Sequence, residues 1–199
     1  VPGYEPNNLR VDRFARTLRI TSTKGIQYWD NTNTTNTNSQ VNALGVGSDA
    51  SIATVIETTL VNPVIPGNSG EQAGIWFGLD EDNYAKLVVT QNADQPRIQL
   101  MVEVNGGRYP DGVSGSPITS NSTPSVSISD KVVTLRLVID PVTDRVTGNY
   151  SIDGGTPIQL GNLDIPASFT NGQILPDSIT GPASYAGLFA SHRNGATPV

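Results

Sequence analysis

Trp76, Tyr84, Lys86, Gln99 and Glu103 fall close together in a stretch of alternating side chains, and they are the residue types that hold polar, ring-shaped ligands. A flat aromatic ring stacks on the C–H patch of a pyranose, while amides, carboxylates and ammonium groups pair with its hydroxyls. Trp76 stands between Gly74 and Gly78, two positions without side chains on its own side of an extended strand, so its ring has room to form a platform. A mid-strand Trp is equally at home packed inside a sandwich, and both readings stand at this point. Trp29 adjoins an Asn-Thr loop and reads as a rim aromatic or as a loop anchor. His192, the single histidine, ends a strand and reads as a ligand donor or as an internal hydrogen-bonding group.

Other chemistries find less support. Asp80, Glu81, Asp82 and Asn83 form the densest oxygen cluster, and calcium takes six to eight such ligands. Asp80 and Asp82 are therefore the candidate metal ligands, although the spacing is not that of an EF-hand and an acidic turn is commonly just solvated. There is no Cys, which removes disulfides, thiol nucleophiles and cysteine-ligated zinc. Gly112-Val113-Ser114-Gly115 lacks the strand-to-helix setting of a nucleophile elbow. Glycoside hydrolysis needs two facing carboxylates, and the strand carboxylates Glu57 and Glu103 are isolated. We therefore expect binding rather than catalysis.

The elements that must position these residues are strands. No window of eleven or more residues keeps helical apolar spacing without Gly, Pro or β-branched interruption. Strand patterns recur at Thr17–Ser22, Ile26–Tyr28, Ser51–Leu60, Gln72–Leu79, Tyr84–Thr90, Arg97–Glu103, Val132–Ile139, Arg145–Ile152, Gly155–Leu160 and Ala183–Ser191. Short turn clusters between them imply antiparallel pairing, because parallel neighbours need long crossovers. A four-residue turn at 80–83 predicts Trp76 on one face with Ala85, Leu87 and Val89, with Ile75, Phe77, Tyr84 and Lys86 on the other. Gln99 and Glu103 are expected to join the Trp76 face. Asp30–Gln40 and Arg108–Pro124 read as long polar loops, and Phe169, Ile174 and Leu175 could anchor a helical turn within Pro166–Pro182.

Several of these segments resemble the concanavalin A-like lectin/glucanase superfamily, in its bacterial, non-catalytic, surface-protein form. Gln72-Ala73-Gly74-Ile75-Trp76 running into Asp80-Glu81-Asp82-Asn83-Tyr84-Ala85-Lys86-Leu87 is similar to its central hairpin. Thr134-Leu135-Arg136-Leu137, then Tyr150-Ser151-Ile152-Asp153-Gly154-Gly155, and Tyr185-Ala186-Gly187-Leu188-Phe189 are similar to three of its later segments. The resemblance implies an all-β, two-sheet antiparallel jelly-roll sandwich, carbohydrate binding, and calcium as the one cofactor to expect. It also implies a closing strand after the Arg193–Val199 stretch, so the last strand is expected to be missing or supplied by a neighbouring domain or chain.

Length and composition agree with that class. The chain has 199 residues with 15% charged residues, 20 Gly and 14 Pro, which suits a single β-rich domain over residues 1–199. The start Val1-Pro2-Gly3 suggests an excised piece of a longer secreted protein. A formal charge of −6 and a reading in which no Lys/Arg cluster appears argue against nucleic acid, and no apolar run is long enough to span a membrane as a helix. The function expected is a lectin-like, carbohydrate-binding module outside the cell or on its surface, engaging a polysaccharide or glycan in adhesion. A structural module of an adhesin, sheath or filament is the alternative, and a polysaccharide-degrading glycosidase the third reading.

Overall fold

Alternating β-branched and aliphatic residues build two antiparallel sheets whose apolar faces meet. A computed structural model describes residues 5–24, 42–63, 65, 71–92, 95–104, 107–108, 120–123, 125–170 and 184–192. Among them the strands are β1 (Leu9–Asp12), β2 (Thr17–Ile20), β3 (Thr23–Lys24), β4 (Leu44–Ser48), β5 (Thr54–Val61), β6 (Gln72–Gly78) and β7 (Tyr84–Asn92). They continue with β8 (Gln95–Val104), β9 (Gly107–Arg108), β10 (Ser120–Ser122), β11 (Val132–Asp140), β12 (Arg145–Ile152), β13 (Ile158–Asp164) and β14 (Ser184–His192).

The larger sheet runs β10-β8-β7-β6-β14-β3, with β4 also on β14 and β9 on β8; the smaller runs β13-β12-β11-β5. Val133, Leu135, Leu137 and Ile139 of β11 point inward, while Thr134 and Arg136 between them point out. They meet Ile75, Phe77, Ala85, Leu87, Val89, Ile98, Leu100 and Val102 of the larger sheet in one apolar core. Each such side chain contributes roughly 1.5–3 kcal/mol on burial, which makes this interface the main source of stability. This is the two-sheet antiparallel sandwich that the family resemblance implies.

Tight turns set the hairpins. Between β12 and β13, Asp153 and Gly154 both take positive φ, and the Gly155 amide closes the turn on the Ile152 carbonyl at 2.9 Å. That is the primed geometry that follows strand twist, and Asp-Gly supplies it with little strain. A 3-10 turn over Ala167–Phe169 buries Phe169 in the core, within the segment where a helical turn was expected.

Three expectations need correction. The tip between β6 and β7 holds five residues, not four: β6 ends at Gly78, and Gly78 stands opposite Tyr84. The amides of Leu79 and Asp80 both point at the Asn83 carbonyl oxygen, at 2.8 and 3.5 Å, so two residues oppose one. Every facing pair therefore moves by one residue, and Trp76 lies opposite Lys86 instead of Leu87. Secondly, Ser120–Ser122, inside a stretch read as loop, pairs with β8. Finally, β4, β1 and β3 were not foreseen, and β4 and β3 both pair with β14. The expected strand Ile26–Tyr28, the loop Asp30–Gln40 and the region after His192 lie outside the described residues.

Acid should loosen the turns around β11 and β12. The Asp153 carboxyl is held below the ordinary carboxylate range by the Lys131 ammonium, at 2.8 Å, and by the Val132 amide. Asp140 is lowered likewise by the Thr143 hydroxyl and the Val142 amide. A carboxyl depressed in the folded state binds fewer protons there than when unfolded. Its contribution is thus complete above the unfolded value of about 3.9 and is lost as pH falls through the folded value. The gap in urea midpoint between wild type and Asp153→Asn should therefore narrow between neutrality and about pH 3. A gap that stays constant would show that the carboxylate charge contributes nothing.

Candidate functional site

The larger sheet has a second face, turned away from the smaller sheet. Cross-strand pairing places four rows on it. Arg97, Thr90, Gln72 and Ser191 form one row, and Gln99, Val88, Gly74 and Phe189 the next. Met101, Lys86, Trp76 and Gly187 follow, then Glu103, Tyr84, Gly78 and Tyr185.

Trp76 is the anchor of this face. Its ring runs across β14 and β4 at the two positions where no side chain intervenes: a Cβ at Gly187 would lie 2.5 Å from Nε1, and one at Gly45 would lie 3.0 Å from Cζ2. The indole N–H donates to the Leu44 carbonyl at 3.3 Å. Tyr185 leans on the ring at 6.3 Å between centroids, and Tyr84, Val88 and Phe189 complete a second apolar cluster. Trp76 is 4% exposed. The open platform suggested by its flanking glycines is therefore not what the structure shows; the space is used to lay the ring over glycines of neighbouring strands.

Polar groups are threaded through that cluster. The Tyr84 hydroxyl donates to Glu103 Oε2 at 2.6 Å, within the range of an O–H bond to an ionised carboxylate. Lys86 Nζ donates to Gln72 Oε1 at 2.8 Å and lies 5.7 Å from the centre of the Tyr84 ring. The amide Nε2 of Gln72 in turn reaches Ser191 Oγ at 3.3 Å. Tyr84, Lys86 and Glu103 are fully buried. Buried polar groups are costly unless paired, so a connected chain of them on one face fixes each side chain in a single orientation.

The structure thus brings Trp76, Tyr84, Lys86, Gln99 and Glu103 onto one face. Tyr84 and Lys86 had been assigned to the other side, and the extra residue in the turn is what moves them. His192 is not with them: Ser191 bonds to Gln72 on the Trp76 face, so alternation turns His192 to the opposite side, where it is buried beside β3. Trp29 lies outside the described residues. Gln72, Ser191 and Arg97 were missed by sequence reasoning. Gln72 shares the parity of Trp76 and could have been found from that alone; Ser191 and Arg97 become neighbours only through pairing.

Asp80 and Asp82 shape the turn. Asp80 Oδ1 accepts from the Asp82 amide at 2.8 Å and from Asn83 Nδ2 at 2.9 Å. Burial and the neighbouring Asp82 charge push the Glu81 carboxyl up. Among the described residues no three His, Cys, Asp or Glu side chains gather as metal ligands. Glu57 and Glu103 lie on different sheets with the core between them, so they cannot flank one glycosidic bond.

Two substitutions test this packing. Gly187→Ala would drive a methyl group into the Leu44 carbonyl and the Trp76 ring, and should lower stability by about 1–3 kcal/mol or more, read as a fall in Tm. Tyr84→Phe removes the 2.6 Å hydrogen bond to the buried Glu103 carboxylate and should cost about 1–3 kcal/mol in urea unfolding. An unchanged midpoint in either variant would mean that the face tolerates looser packing than the distances imply.

Residues 54–197 match the family model described as "Beta xylosidase C-terminal Concanavalin A-like domain". No curated protein matches the chain. Among solved structures, the GH43 protein BlXynB of Bacillus licheniformis superposes with a TM-score of 0.64 at 17% identity, over 92% of this chain and 30% of that one. A functionally unknown protein of Saccharomyces cerevisiae also gives 0.64, at 13% identity, over 95% and 85% of the two chains. The winged bean acidic lectin, in complex with methyl-alpha-D-galactose, gives 0.50 at 14% identity over 96% and 83%. At these identities the likeness shows the fold, and the present chain spans less than a third of the length of BlXynB. The family match covers well over half of the sequence, and the chain belongs to the beta xylosidase C-terminal concanavalin A-like domains.

Proposed function

We propose that this domain is a carbohydrate-binding, lectin-like module of an extracellular or cell-surface bacterial protein, and that the Trp76 face of the larger sheet holds the sugar. One observation carries the reading. Glu103, Tyr84, Lys86, Gln72 and Ser191 form an oriented polar line on the one face of the larger sheet that the sandwich core does not use. The buried line holds in one orientation the face that carries Gln99, Thr90 and Arg97, whose amide, hydroxyl and guanidinium groups are of the kind that pair with sugar hydroxyls.

Gln99, Thr90 and Arg97 are half-buried where Lys86 and Glu103 are fully buried, so a ligand would meet them first. The family description ties such domains to beta xylosidases, and the winged bean lectin relative was captured with a galactoside. Both support carbohydrate as the ligand class. Binding without catalysis fits a face on which Glu103 is the one carboxylate among the described residues. Calcium enters this reading as a condition to vary.

A glycan and polysaccharide array, run with and without calcium, tests the proposal. At least one polysaccharide should be retained, and Gln99→Ala should weaken that binding roughly twofold to tenfold, the worth of one hydrogen bond, without moving the unfolding midpoint. Retention of none, or release of reducing ends that Glu103→Gln abolishes, would overturn it.

A further inference from the structure

The β1–β2 hairpin stands apart from both sheets. It forms a two-stranded sheet of its own. Its base is fastened on both sides: Glu5 and Asn42 exchange two hydrogen bonds of 2.9 Å, and β3 follows directly into pairing with β14. A lone two-stranded hairpin is marginal in water and normally needs an apolar face covered.

Its register, Leu9 opposite Ile20 and Val11 opposite Leu18, puts four aliphatic residues on one face. Val11 is 70% and Leu18 41% exposed, and Phe14 at the tip is completely exposed. The other face sets Arg10 directly opposite Arg19, a like-charge pair that weakens an isolated hairpin. With Arg13 and Arg16 in the turn, four of the twelve Lys and Arg residues lie within ten positions, against the single carboxylate of Asp12. The overall charge of −6 conceals this local excess, which the sequence reading overlooked, and leaves the remainder of the chain more acidic still.

We infer that this arm docks on a second copy of the same chain. The charge argument favours a copy over an anionic membrane, because the acidic body that attracts the arm would be repelled by anionic lipid. Size favours it too. A stable interface engages about 20–30 residues a side, more than one twelve-residue arm presents, but two reciprocal arm-to-body contacts about a twofold axis supply it.

The seat that fits is the outer face of the smaller sheet along β5. There Val55 and Val61 are 50% and 63% exposed, Val132 beside Val61 is 37% exposed, and Glu57 lies between the two β5 valines. Phe14, Val11 and Leu18 would cover these valines, while Arg13 and Arg16 of the turn would share Glu57 with Arg136, which faces it at 3.7 Å.

Sedimentation of the whole chain over a concentration series tests the proposal. A dimer is expected whose dissociation constant rises with salt, and rises about tenfold or more in Phe14→Ser, in Arg13→Glu with Arg16→Glu, and in Val61→Lys. These positions are exposed, so an unchanged unfolding midpoint of the dissociated variant separates lost docking from lost folding. A monomer at every concentration, or a dimer indifferent to the arm variants, would overturn the inference. So would binding of the monomer to phosphatidylserine vesicles that Phe14→Ser abolishes. A dimer sensitive to the arm but not to Val61→Lys would overturn the seat.

Discussion

One extra residue at the tip of the central hairpin decides what the larger sheet can do. Leu79 and Asp80 both direct their amides at Asn83, and that two-against-one step sets Gly78 opposite Tyr84. Side chains alternate with a period of two, so the step determines the company that every residue of β6 keeps. Without it Trp76 would face Leu87, and an apolar core residue would be exchanged for the Lys86 and Tyr84 that the outer face depends on. Asp80 holds the step in place by capping Asp82 and Asn83. The acidic tetrad is therefore first a device for register.

Given that register, the glycines acquire a meaning beyond turns. Trp76 is bulky and lies on a face that the smaller sheet does not cover. It is accommodated because Gly187 and Gly45 on the next two strands present bare backbone, and the Leu44 carbonyl takes its N–H. The ring thus joins three strands sideways, where backbone hydrogen bonds join them edge to edge. Lys86 and Glu103, buried next to this apolar cluster, are met there by the Gln72 amide and the Tyr84 phenol. Such a line of charge and amide has a stiffness that exposed loop residues lack, and oriented polar groups lose little entropy when they bind.

The sequence spoke clearly about whatever rests on local patterns. β11 and β12 announce themselves by alternation, with Val133, Leu135, Leu137 and Ile139 inward, and their flanking turns carry the Asp and Gly residues that such turns need. The candidate site was half legible: Gln99 and Glu103 were set on the face that Trp76 occupies. Tyr84 and Lys86 were not, because nothing in the residues 79–83 distinguishes a four-residue turn from a five-residue one until the amides choose their acceptor. Short strands such as β3 and β10 escaped for a related reason. Two or three residues carry no periodicity, and their pairing is decided by the long strand they lie against.

The hairpin at the start of the chain shows the opposite relation between pattern and environment. Leu9, Val11, Leu18 and Ile20 alternate as cleanly as any core strand, and composition alone would assign them to the sandwich. They stay outside because both sheets already have their inner faces filled: the core closes on Ile75, Leu87, Leu100, Leu135 and Leu137 without them. An apolar face in water weakens what carries it, and the Arg10–Arg19 pair behind that face adds repulsion. Local sequence thus favours strands at a place where, among the described residues, Val11 and Leu18 remain exposed. Contact with the aliphatic surface of a net acidic body relieves the first penalty directly and offsets the second only through the overall charge, which neither a longer hairpin nor a change in the body's own core would do.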